Sequence, residues 1–167
     1  MPKAKNILTW NIKNLADAIK LKDADVKQYF TDGRKISFIL ERRIAYEFLK
    51  GTIAENEGKA YDIIAPNGDL WEVRSITKGG VYFCPSYMVG KGRKFDLKGF
   101  LQKLKVIKGY ILADVLEFPN VPFWVIPKET VELWWKNGKL GKNSSVSHKK
   151  ALSLIENITK DKKQLKV

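Results

Sequence analysis

Two runs of alternating polar and apolar residues, 60–65 and 70–76, flank the tetrapeptide Pro66-Asn67-Gly68-Asp69. Alternation with period two is the pattern of a half-buried strand, and Pro-Asn-Gly-Asp is turn-forming, so the middle of the chain must make a β-hairpin. One hairpin is not stable alone. The rest of the chain therefore has to supply more strands, or helices that cover the hairpin.

It supplies both. Gly79-Gly80 leads into a third strand over 81–84, and 110–115 and 123–126 are apolar enough to be central strands. Between them, Asp96 is placed to cap a helix reaching Ile107, with Leu97, Phe100, Leu101 and Leu104 inward and Lys98, Gln102 and Lys105 outward. Ahead of the hairpin, 12–30 reads as two short helices, with Asp23 as a cap between them. Helix-turn-helix DNA reading and simple packing on the core explain that segment equally well. A helix over 36–50, stopped by Gly51, would bury Phe38, Ile44, Ala45, Phe48 and Leu49 and set Glu41 in the middle of that face. Residues 130–135 read as a turn of helix, 149–158 as a last helix, and the tail from 159 as frayed. The expected architecture is α/β (α+β), a central mixed β-sheet flanked by helices. It divides into an N-terminal helical segment 1–35, a core 36–135 and a basic C-terminal loop, helix and tail 136–167.

Charge points toward the partner. There are 31 Lys and Arg against 18 Asp and Glu, a net charge of +13. That excess favours a polyanion, because each neutralised phosphate releases counterions. Residues 91–108 hold seven basic residues and one acid. Between 54 and 72 the sign reverses: Glu55, Glu57, Asp62, Asp69 and Glu72 meet only Lys59. An acidic island in a basic chain suits a divalent cation on a polyanion-binding surface. Glu55, Glu57 and Asp69 are expected to be simply solvated.

If the hairpin forms, Glu72 and Arg74 share one strand face and Asp62 lies across from them. Two carboxylates and a cation then converge, which is the equipment for hydrolysing a phosphodiester with Mg²⁺. Glu41, a carboxylate on a buried helix face, needs a metal, a cation or a donor network. In the loop 87–94, Lys91, Arg93 and Lys94 have no local acid, and its glycines let backbone amides approach phosphates, so DNA contact is expected there, with Ser75, Lys78 and Lys98 as further contacts.

Other chemistries are poorly served. His148 is the only histidine and Cys84 the only cysteine, which excludes double-histidine schemes and a structural zinc site. His148 is expected on a polar surface loop, and Cys84 as a small packed residue. Trp124, Trp134 and Trp135 are expected in the core or a dimer interface. One cysteine, no signal peptide and no long apolar run suggest the cytoplasm.

The pattern Asp62…Glu72-Val73-Arg74 resembles the PD-(D/E)XK nuclease superfamily, most of all the small homodimeric type II restriction endonucleases. The likeness implies a restriction-endonuclease-like core: a helix carrying a metal-directed glutamate (here Glu41), three meandering strands, a helix and two more strands. It implies Asp62 and Glu72 as ligands of Mg²⁺, double-stranded DNA as partner, sequence-specific cutting and a homodimer. Arg74 stands where that family has lysine, with Lys78 as a candidate substitute. Holliday-junction resolvases and homing endonucleases of the same fold, a non-catalytic DNA-binding module and an RNA-binding protein are the alternatives.

Overall fold

The structure is a computed structural model that describes residues 6–55 and 59–164, with side chains through 158. Glu57 and the end of the tail lie outside the described residues.

The hairpin forms where the alternation required it. Strands β3 (Ile63–Ile64) and β4 (Leu70–Ile76) pair antiparallel, Ile63 opposite Trp71. Gly68, at φ 82, closes the turn by donating its N–H to the Ala65 carbonyl at 2.9 Å. Upstream, β2 (Thr52–Ile53) adds to β3; β6 (Gly109–Asp114) runs parallel to β4, and β7 (Asn120–Pro127) antiparallel to β6. A strand the sequence reading did not anticipate, β1 (Asn6–Thr9), closes the far edge against β7, so the mixed sheet has the order β1-β7-β6-β4-β3-β2. Every residue of β6 is buried, as expected of a central strand covered on both faces.

Two helical layers cover the sheet. On one face lie α1 (Ile12–Ile19), α2 (Asp23–Phe30) and α3 (Gly33–Arg43), packed on Leu8, Ile63, Val73, Ile111 and Phe123. On the other lie α4 (Leu97–Val106), α5 (Lys128–Lys136) and α6 (His148–Gln164), packed on Ile76, Tyr110, Leu112, Trp124 and Ile126. The segments 1–35 and 136–167 thus contribute to the same two cores as the middle of the chain. No helix among the described residues is long and apolar enough to cross a membrane.

Several local expectations need correction. The 81–84 strand leaves the main sheet: only Val81–Tyr82 (β5) is extended, and it pairs with β8 (Ser145–Val146). The third strand of the meander is β2 instead. Lys22, not Asp23, is the cap residue of α2, and Asp23 opens the helix. Asp32 caps α3, which begins at Gly33 and passes into a π-helical turn over Ile44–Leu49 before the left-handed Lys50 ends it. That turn alters the helical phase, so a projection carried through it misplaces side chains. The buried residues are Ile36, Leu40, Ile44 and Ala45, whereas Phe38 and Phe48 are exposed. Leu97 is exposed as well, and the α4 position buried beside Phe100 and Leu104 is Lys103.

Gly80 joins the sheet to the β5–β8 ribbon. It exchanges backbone hydrogen bonds with Thr77 at 3.0 and 2.8 Å, at φ 93, and a Cβ there would collide with the Val146 carbonyl oxygen. Gly80→Ala is therefore expected to cost about 3 kcal/mol, measured as a lower urea midpoint with an unchanged slope.

Candidate active site

Asp62 lies one residue before the paired part of β3, where Ile63 faces Trp71. The Asp62 N–H donates to the Trp71 carbonyl at 2.9 Å, and its Oδ2 accepts the Val73 N–H at 2.7 Å. A side-chain oxygen thus serves as acceptor where the regular part of β3 stops, which fixes the carboxyl and leaves Oδ1 without a partner among the described residues.

Glu72 is buried, and within the parallel pair it sits beside Tyr110. Its Oε1 takes two cations, Arg74 Nη2 at 2.6 Å and Lys103 Nζ at 2.5 Å. Lys103 arrives from α4 in the overlying layer, its side chain 3% exposed. The loop after β5 closes the site from above. The Tyr110 hydroxyl donates to the Phe83 carbonyl at 2.6 Å, and Arg74 Nη2 to that of Cys84 at 3.0 Å. Arg74 Nε is buried and has no partner among the described residues. Such an orphan donor suits an anionic oxygen or a water.

Glu41 comes from α3, which packs on the opposite face of the sheet. Burial raises its pKa to about 8, and the charges of Asp62 and Glu72 add to the shift against the opposing pull of Arg42 and Arg74. Burial, then the Glu72 charge, raises Asp62 to about 6. Burial and the Arg74 charge lower Lys103 to about 8. Asp62, Glu72, Arg74 and Lys103 thus share one partly closed site, and the charges of Asp62, Glu72 and Arg74 act on Glu41 as well.

Among the described residues, no three His, Cys, Asp or Glu side chains stand together as a ready metal cage. The pair Asp62 and Glu72, with Asp62 Oδ1 and Glu72 Oε2 still open, suits a hard cation that keeps several waters.

The other candidates lie elsewhere. Ser75 faces the α3 layer and donates its hydroxyl to the Gly33 carbonyl at 3.3 Å, so it is turned away from the acidic pair. Lys78 is exposed on the turn after β4, and the cation beside Glu72 is Lys103 instead. Lys91, Arg93, Lys94 and Lys98 are exposed, with Arg93 donating to the Ser86 carbonyl at 2.9 Å. His148 is not a free surface residue: its Nε2 lies 2.8 Å from Oδ2 of the buried Asp114. Cys84 is buried, and Trp124 and Trp134 pack in the core. Lys103 was legible in principle. It follows Phe100 by three residues and precedes Leu104, which puts a cation on the buried stripe of α4.

Comparison with protein-family models, with curated proteins and with solved structures gave no match. The residues and their geometry carry the functional reading.

Glu41 and Asp62 bind their protons more tightly folded than unfolded. Both therefore favour the fold at low pH and lose that contribution as pH rises, across 3.8 to about 6 for Asp62 and 4.5 to about 8 for Glu41. Glu41→Gln is expected to remove much of the fall, a gain on the order of 2 kcal/mol at alkaline pH. Thermal melts in a chelating buffer from acid to alkaline pH would show it, and a variant curve parallel to wild type would contradict this environment for Glu41.

Proposed function

We propose that this chain is a Mg²⁺-dependent endonuclease that hydrolyses phosphodiester bonds in double-stranded DNA. The observation that carries the reading is the buried Glu72 carboxylate held by Arg74 and Lys103, with the Asp62 carboxyl fixed next to it on the Val73 N–H. The net charge of +13 and the exposed Lys91, Arg93, Lys94 and Lys98 supply the attraction for a polyanion.

The finer fold assignment rests on element order. A helix (α3), a three-strand meander (β2-β3-β4), a helix (α4) and two further strands (β6, β7) follow the succession of a restriction-endonuclease-like core. The β5–β8 ribbon is an addition to it.

Asp62 and Glu72 would hold the Mg²⁺, with Glu41 positioned to orient a water beside them. The ion supplies Lewis-acid polarisation of the phosphate and acidification of a water. Lys103 takes the part that Arg74 cannot. A lysine ammonium can give up and regain a proton, whereas a guanidinium stays charged. Lys103 is thereby fitted to steady the attacking water or receive its proton, while Arg74, a fixed positive charge beside Glu72, would favour the negative charge that builds up on the phosphorane. Water oxygen bonds to phosphorus, the P–O bond to the leaving sugar oxygen breaks, and that oxygen takes up a proton. One such site cuts one strand, so a symmetric homodimer is the economical arrangement for cutting two.

With supercoiled plasmid and Mg²⁺, wild type should give nicked and linear products. Asp62→Ala, Glu72→Gln and Lys103→Met should each lower the rate by roughly 10²–10³-fold, while Lys78→Met leaves it near wild type. A wild type that leaves plasmid intact, or variants that cut as fast as wild type, would overturn the proposal. A Lys103→Met protein that cuts normally while Asp62→Ala does not would remove only the lysine's role.

A further inference from the structure

The outer face of α3 presents aromatic rings where a solvated helix face would be polar. Phe38 is 58% exposed, and Tyr29, at the end of α2, is 45% exposed. Each carries a cation. The Arg42 guanidinium lies 3.3 Å from the Phe38 ring centroid, with Nη1 donating to the Phe38 carbonyl at 3.2 Å. Lys35 Nζ lies 5.4 Å from the Tyr29 centroid and is shared with Asp32 at 3.9 Å. The exposed Arg34 adds a third positive charge to the helix.

The ridge stands on the helix that also carries Glu41, three residues after Phe38.

The chemistry of the ridge separates two forms of nucleic acid. A fully paired duplex offers phosphates to the cations but no base face, since its bases are stacked on each other. An unpaired nucleotide offers both a phosphate and a ring face, and ring-on-ring stacking with interleaved cations is how single strands are held. An exposed phenylalanine beside two cations is matched by the second form only.

We infer that the ridge of Tyr29, Lys35, Phe38 and Arg42 seats an unpaired stretch of a nucleic-acid strand. The inference rests on the nuclease reading above and narrows its substrate to DNA that carries unpaired nucleotides, such as a branch, flap or loop.

Binding in chelating buffer tests the surface apart from the chemistry. Fluorescence anisotropy would be measured with labelled oligo-dT of about 20 nucleotides and with a blunt duplex of the same length, for wild type, Phe38→Ala, Phe38→Trp and Arg42→Ala. Phe38→Ala should weaken oligo-dT by roughly 5- to 100-fold, as expected for loss of one stacked base, and change the duplex less than about twofold. Phe38→Trp should restore oligo-dT binding, and Arg42→Ala should weaken both ligands with a shallower salt dependence. Equal loss on both ligands, or none on oligo-dT, would overturn the inference. So would a change in sedimentation of Phe38→Ala with nucleic-acid binding intact, since the ring would then serve a protein contact. A wild type that binds oligo-dT through Phe38 but never cuts DNA would sink the nuclease reading and support this surface. Cutting that persists with ring-independent binding would do the reverse.

Discussion

A single carboxylate oxygen organises this molecule. Glu72 is buried in the central strand pair, where an isolated charge would be strongly disfavoured, and its Oε1 is held by Arg74 from the same strand and Lys103 from α4. The two cations are themselves buried enough to need that anion. Asp62 adds a second negative charge, so two acids face two bases in the closed part of the site. Glu41, with its pKa near 8, holds a proton at neutral pH and leaves that balance undisturbed.

The architecture explains how residues so distant in sequence arrive together. β4 and β6 are parallel neighbours, and the crossover between them carries α4 onto one face of the sheet, which sets Lys103 above Glu72. On the other face α3 packs on Val73 and Ile111. The π-helical turn that follows α3 shifts the chain's phase just after Glu41, so Ile44 and Ala45 are buried together as the helix ends.

Much of this was legible in the sequence, for identifiable reasons. The hairpin and its turn follow from strand pattern and turn chemistry alone. The mixed α/β layering follows from element order, and the amphipathic α4 from its Asp96 cap. What stayed hidden depends on tertiary context. Lys103 was lost because lysine is ordinarily a surface residue, and only Glu72 makes its burial tolerable. The phase change of the π-helical turn leaves no mark in a periodic pattern, so Phe48 was assigned inward. β5 was assigned to the main sheet because an extended segment does not announce its partner, and β8, two residues long, had no pattern of its own. His148 looked like loop polarity because Asp114, its partner, lies 34 residues away.

The ribbon of β5 and β8 carries one more implication, in time rather than space. The carbonyls of Phe83 and Cys84 that receive Tyr110 and Arg74 belong to a segment fastened by the Phe83 N–H to the Ser144 carbonyl at 3.0 Å. A ribosome finishes Asp62, Glu72, Arg74 and Lys103 well before it reaches that residue. Through that interval the acids and cations exist without the fastening that Ser144 gives to the loop covering them, so the cover of the site is a later event in synthesis than its charges.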